Sequence, residues 1–166
     1  MNQMVTSNCA FELENDLSLI SPLIKYLRQR MRDVGISDDS ERLRISVALE
    51  EAILNAYYHG NLEVDSTLRE EDNNQYLELA KQRSQEAPYR DRCIGVEARL
   101  SSSEVTFVVR DGGRGFDPST LPNPTDSENL SRPHGRGILL MRTFMDEVIF
   151  NERGNEITLR RVFPVT

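Results

Sequence analysis

The chain has 166 residues, a hydrophobic fraction of 38% and a net charge of −7. That length suits one domain with a single substantial core, and the acidic balance excludes a nonspecific nucleic-acid binder and disfavours an anionic membrane surface. No apolar run approaches the length of a membrane span, the first ten residues lack the basic and apolar regions of a secretory signal, and Cys9 and Cys93 have no metal-ligand spacing, so they read as free thiols in a reducing cytoplasm.

Residues 8–14 read as a first strand. Asp16 is placed to cap a helix running to about Asp33, with Leu17, Ile20, Leu23, Ile24, Leu27 and Met31 at helical spacing, and Gly35 fits its terminator. Ser37 or Asp38 caps a second helix that ends near His59 and Gly60. This helix carries the most informative pair in the chain, Glu51 and Asn55, which i,i+4 spacing puts on one face. At about 100° per residue, Arg44, Glu51, Asn55 and His59 form a narrow polar stripe with Ala48 and Ala52 among them. Leu43, Val47 and Leu54 flank it on one side, and Ile45, Leu49, Ile53 and Ala56 on the other. A surface helix has one broad polar face. A carboxylate and an amide bordered by apolar residues on both sides are expected in a pocket wall, where they need partners. The same pair also fits an ordinary solvent face, so its meaning depends on the glycine clusters downstream.

Residues 62–93 are polar with both charge signs and read as a solvated excursion, within which Tyr76, Leu77, Leu79 and Ala80 could form a short helix; a partner-contact element is the alternative. Residues 94–101 and 104–110 alternate apolar and polar positions and form an antiparallel hairpin across a short Ser-rich link. Asp111-Gly112-Gly113-Arg114-Gly115-Phe116 comes directly after the second of these strands. Glycines there let a flat ligand approach the backbone, and the leading acid is placed to accept hydrogen bonds. Residues 117–134 hold four prolines and exceed a usual connection, which makes them a functional lid or a disordered segment. His134-Gly135-Arg136-Gly137 then opens a third helix over 137–145, whose first N–H groups and dipole suit a phosphate. Residues 148–151 and 156–163 form a closing hairpin across Arg153 and Gly154.

Neither glycine cluster is specific alone, but their order after the Glu51–Asn55 helix is. Glu51-x-x-x-Asn55 succeeded by Ala56, His59 and Gly60 resembles the asparagine box of the Bergerat-fold (GHKL) ATP-binding superfamily. Asp111-x-Gly113-x-Gly115 resembles its first glycine box, and Gly135-x-Gly137 its second. The run from Phe144 to Val148 resembles the anti-sigma-factor serine/threonine kinase branch. The resemblance covers nearly the whole chain except 62–93. It implies one α/β (α+β) domain: a two-layer sandwich whose mixed, mostly antiparallel sheet carries helices on one face, with an ATP lid at 117–134.

The resemblance also implies roles. Asn55 would bind Mg2+, Glu51 would be the general base, and Asp111 would accept from the adenine amino group beside Gly113 and Gly115. Gly135 and Gly137 would offer N–H groups to the phosphates, with Arg132 or Arg136 at the terminal phosphate. Asn155, after Gly154, stands where the family usually has a Thr that helps hold adenine; it can still donate and accept. The function so implied is a cytoplasmic bacterial serine/threonine kinase using ATP and Mg2+. It would phosphorylate a small antagonist protein and sequester a sigma factor or another regulator, as a homodimer, without direct contact to nucleic acid or membrane. The alternative is a nucleotide-gated protein-binding module without significant catalysis. Nothing in the chain resembles the phospho-accepting histidine helix of a sensor kinase.

Overall fold

The computed structural model describes residues 4–121 and 136–164. Five strands form one sheet: β1 (Thr6–Glu14), β2 (Cys93–Ser101), β3 (Glu104–Arg110), β4 (Glu147–Phe150) and β5 (Glu156–Val162). Their spatial order is β1-β2-β3-β5-β4. The mixed, mostly antiparallel expectation resolves fully to one side, since every pairing among the described strands is antiparallel. The reason lies in the connections. β2–β3 and β4–β5 are hairpins, and β5 returns between β3 and β4, so strands that run in the same direction (β1, β3 and β4, or β2 and β5) never touch.

Alternation sets the layers. Ile94, Val96, Ala98 and Leu100 on β2, Val105, Phe107 and Val109 on β3, and Ile157 and Leu159 on β5 are all buried, while their neighbours along each strand are not. The register lines up Ala98, Phe107 and Leu159 across three strands. Against this face pack α1 (Ile20–Asp33), through Leu23, Leu27 and Met31, and α2 (Asp39–Asn55), through Ile45, Leu49 and Ile53. Another helix, α5 (Arg136–Phe144), closes the layer with Met141. Burying each of these aliphatic side chains contributes about 1.5–3 kcal/mol, which makes this layer the main source of stability.

Local signals start and stop the helices as expected. Asp16 caps a short 3-10 turn, Leu17–Leu19, that leads into α1, and Gly35 ends α1 with φ 106°. Of the two candidate caps for α2, Asp38 is the one used: its carboxylate accepts from the N–H groups of Ser40 and Glu41. α2 then widens into a single π-helical turn, Ala56–Asn61, where the Leu62 N–H bonds to the Tyr57 carbonyl at 3.0 Å. Such widened turns redirect side chains and recur at functional sites.

Two expectations need correction. Leu43, assigned to the apolar flank of the α2 stripe, is half exposed; the helix buries Arg42 and Ser46 instead. Arg42 donates to the Ile36 carbonyl at 2.6 Å and pairs with Asp39, and the Ser46 hydroxyl donates to the Arg42 carbonyl, so these polar groups enter the core with partners. Second, residues 62–93 are no solvated excursion. They contain α3 (Ser66–Glu71) and α4 (Asn73–Arg83), capped by Asp65 and Asp72, with Tyr76 and Ala80 buried. Tyr76 packs its ring against Tyr58 at 5.3 Å and lies under the Arg69 guanidinium. Four buried side chains, Leu62, Val64, Tyr76 and Ala80, anchor a segment whose average composition is polar.

Candidate functional site

A cleft of about 340 Å3 opens between α2 and the turn-rich loops. One wall is the end of α2 and its widened turn, with Ala52, Asn55, Ala56, His59 and Gly60. The opposite wall is the loop after β3, with Asp111, Gly115 and Phe116, and the β4–β5 turn, with Gly154 and Asn155. Ile138 of α5 closes one side, and Glu63 to Ser66, at the start of the 62–93 segment, close another. The Glu51–Asn55 helix and the first glycine cluster, distant in sequence, therefore meet across one cavity.

At the first end of the site, Glu51 and Asn55 sit half-buried on α2. The α2 stripe carries small side chains, Ala48 and Ala52, both buried, and α5 packs along it. The first turn of α5 comes very close. A Cβ on Gly137 would stand 2.8 Å from Glu51 Oε2 and 3.6 Å from Asn55 Nδ2, so only glycine leaves the carboxylate where it is. Burial pushes the Glu51 carboxyl above its ordinary pKa, the neighbouring Glu50 charge adds to this, and Arg69 on α3 opposes it. The Asn55 side chain makes no hydrogen bond among the described residues, and no group of three or more His, Cys, Asp or Glu side chains there could hold a metal by itself. Those facts fit a Mg2+ that takes one or two protein oxygens and fills its remaining positions with water and phosphate. Arg136 is exposed at the start of α5. Gly135, Arg132 and residues 122–135, where a lid is expected, lie outside the described residues.

At the other end, burial pushes Asp111 up to about 6, reinforced by the Glu63 charge; the Gly113 N–H, which donates to Asp111 Oδ1 at 2.8 Å, and the charges of Arg92 and Arg153 hold it back. Gly115 adopts φ 82°, and a Cβ there would fall 2.0 Å from the Arg153 carbonyl oxygen of the facing turn. The glycine loop and the hairpin turn thus touch backbone to backbone. The Asp111 N–H donates to the Asn155 carbonyl at 2.9 Å, which joins them again. The Asn155 side chain, which stands in the cleft wall, accepts from Asn151 Nδ2 at 2.7 Å.

Three residues of this end escaped the sequence. Asn61 is fully buried; its Nδ2 donates to Asn15 Oδ1 and the Cys93 carbonyl while its Oδ1 accepts the Gly112 N–H at 2.7 Å, fixing the glycine loop to the widened turn. Glu63, at φ 51°, accepts the Arg114 N–H and pairs with Arg92 at 3.5 Å. Asn151 organises the β4–β5 turn, its Oδ1 accepting the N–H groups of Gly154, Asn155 and Glu156. The one local signal was an Asn directly after Gly60; the other two are defined by contacts the sequence does not display.

A model of the family described as histidine kinase-like ATPase domain matches residues 13–161. The chain is also similar to two curated proteins named anti-sigma F factor, from Clostridium botulinum strains Eklund 17B (Type B) and Alaska E43 (Type E3). Each is 28% identical over 82 residues, covering 45% of this chain and 56% of the relative. The chain thus spans about half the length of the curated relatives it matches. No helix among the described residues is long and apolar enough to cross a membrane.

Proposed function

Because the chain belongs to the histidine kinase-like ATPase domain family, we propose that it is an anti-sigma-factor-like protein kinase that binds ATP with Mg2+ in this cleft and phosphorylates a serine or threonine of a small antagonist protein. One observation carries the reading: a half-buried, base-strengthened Glu51 stands one helical turn from Asn55 and against the first turn of α5, and Asn55 and Asp111 line the same cavity. That is the layout a nucleotide with an aminated base and a charged tail requires.

Each group has a task suited to its surroundings. Asp111 accepts from the exocyclic amino group of adenine, and Asn155 stands beside it in the wall. Asn55 holds Mg2+ through its amide oxygen, and the ion supplies neutralisation of phosphate charge. The N–H groups at the start of α5, at Gly137, are offered to the phosphates with the helix dipole behind them, and Arg136 is the candidate cation for the terminal phosphate; Gly135 and Arg132, outside the described residues, take the same roles by resemblance. Glu51, one helical turn from Asn55, removes the proton from the acceptor hydroxyl; its raised pKa makes it a better base than an exposed glutamate. Phosphoryl transfer needs mainly positioning and charge neutralisation, which is what these groups offer.

The relatives named anti-sigma F factor support the sigma-factor part of the wider assignment, in which the protein, as a cytoplasmic homodimer, sequesters a sigma factor or another transcription regulator and phosphorylates a small antagonist protein. The test is a pull-down with and without ATP, then incubation of the captured proteins with labelled nucleotide and Mg2+. Glu51→Gln is expected to retain ATP binding and to lower label transfer by about 100-fold or more. Undiminished transfer by that variant would remove Glu51 from its role, and unaltered capture with ATP-bound protein that transfers nothing would favour a nucleotide-gated binding module.

A further inference from the structure

The β4–β5 turn carries a feature that the nucleotide reading does not use. An asparagine side chain has one acceptor and one donor end, and which end faces a ligand is set by what the other end bonds. For Asn155 that choice is made by Asn151. Asn151 Oδ1 accepts three backbone N–H groups, from Gly154 at 2.8 Å, Asn155 at 3.0 Å and Glu156 at 3.2 Å. Backbone N–H groups cannot accept, so Asn151 cannot be turned over, and its Nδ2 must be the end that meets Asn155 at 2.7 Å. The atom it meets is therefore Asn155 Oδ1. That leaves Asn155 Nδ2 with no partner among the described residues. It is not among their buried, unpartnered atoms either, and Asn155 lines the cleft, so Nδ2 is the end of the side chain left for a ligand there.

We propose that Asn155 is a specificity-determining residue that presents a hydrogen-bond donor, and no acceptor, to a ring nitrogen of the bound base, and that Asn151 is the positioning residue that locks it in this orientation. The inference rests on the nucleotide reading above and goes beyond it. Asp111 N–H bonds to the Asn155 carbonyl, so the two side chains issue from paired backbone positions. Together they offer an acceptor next to a fixed donor. Adenine presents the complement, an amino group flanked on either side by ring nitrogens that accept. A base with a carbonyl at the position of the amino group sets oxygen against the Asp111 carboxylate. A hydroxyl in place of Asn155 could rotate to donate or accept; the clamped amide cannot.

The test is calorimetric titration of the whole chain, in Mg2+, with ADP, 1-deaza-ADP and 7-deaza-ADP, each analogue lacking one of the two ring acceptors. The native protein is expected to bind one analogue about tenfold more weakly than ADP, the effect of one hydrogen bond. Asn155→Ala is expected to bind all three alike. Asn151→Asp keeps the acceptor for the three backbone N–H groups but removes the donor to Asn155, so Asn155 turns its amino group towards the new carboxylate. This variant is expected to keep the ligand-free melting temperature and to lose the discrimination between ADP and its analogue, which a purely structural role for Asn151 would leave unchanged. Equal affinities of the native protein for all three ligands, or discrimination retained in either variant, would overturn the inference while leaving the nucleotide reading intact. Failure of the native protein to bind ADP at all would overturn both.

Discussion

At the Asp111 end of the cleft the polar groups are tied to one another; at the Glu51 end they are not. Asp111 takes the Gly113 N–H, Asn61 takes the Gly112 N–H, Glu63 takes the Arg114 N–H, and Asn151 takes three N–H groups of the facing turn. Glu51 and Asn55 show no comparable network among the described residues, and their close neighbour is the bare Cα of Gly137. The difference reflects the chemistry of what each end would hold. A neutral, flat base is recognised by shape and by a few directed bonds, which must be in place beforehand. A metal and a phosphate chain bring their own charge, and the groups that meet them gain most if they are left with unspent donors and acceptors. The Asp111 end is therefore expected to fail by misfolding and the Glu51 end by losing ligand.

Gly115→Ala is the harshest break of this contrast. The substitution forces a Cβ to 2.0 Å from a backbone carbonyl at φ 82°, and backbone on both sides prevents relief. Destabilisation of about 3 kcal/mol, or roughly 10 °C in melting temperature of the ligand-free protein, is expected. A melting curve within about 2 °C of the native one would show that the loop and the turn separate easily, and the contrast would fall.

Asn55→Ala probes the other end. It removes no internal hydrogen bond among the described residues, so the ligand-free melting temperature should hardly move. Mg2+-dependent ATP affinity should fall by about 100-fold, the loss of a metal ligand. Calorimetry with and without Mg2+ separates the two effects; an affinity that is unchanged in Mg2+ would remove Asn55 from the metal site.

Asp111→Asn has a smaller effect with two signs. The carboxyl is raised from 3.8 to about 6, so the proton favours the folded, ligand-free protein: this contribution is fully present below about pH 3.8 and is lost as pH rises through about 6. A neutral amide that still accepts the Gly113 N–H avoids the buried charge, and the ligand-free variant should melt higher than the native protein at about pH 8. Adenine nucleotide affinity should fall by about tenfold. The charged carboxylate is the better acceptor, so native affinity should weaken as pH falls below about 6 and the variant's should not. Matching pH profiles for the two proteins would contradict the assignment of Asp111 to the base.

What could be read from the residues divides along the same line. Strand alternation, the Asp16 and Asp38 caps and the Gly35 stop are local patterns, and the structure repeats them. The Glu51–Asn55 pair and the Asp111 loop are also local, and the widened turn and the β4–β5 hairpin bring them together. The network that stiffens the Asp111 end is not local. Asn61 meets Gly112, 51 positions away, and Asn15, 46 positions away. No window of sequence shows such a contact. Residues 62–93 misled for a related reason. Their polar average hides Tyr76, which is buried with its hydroxyl unpartnered among the described residues, and Arg83, which holds the carbonyls of Leu62 and Glu63 and so ties α4 to the cleft wall. Leu43 erred in the opposite direction, because a buried arginine with its own partners took the place that hydrophobicity assigned to leucine.

Gly137→Ala is the mildest perturbation and the one that sharpens the contrast most. It resembles the Gly115 change at first sight, since the added Cβ also meets an oxygen inside 3 Å. But that oxygen is the tip of the Glu51 side chain, which can rotate away, and the glycine has no positive φ to defend. Alanine also favours a helix over glycine by about 1 kcal/mol. The two terms oppose each other, so the melting temperature should shift by no more than about 2 °C in either direction. The displaced carboxylate, however, no longer stands where the acceptor hydroxyl needs it, and phosphoryl transfer should drop by about tenfold with ATP affinity little changed, as expected for a base moved by a fraction of an ångström. A large loss of stability would mean that the Glu51 end is as rigidly built as the Asp111 end. An unchanged transfer rate would mean that the position of Glu51 does not matter to the reaction.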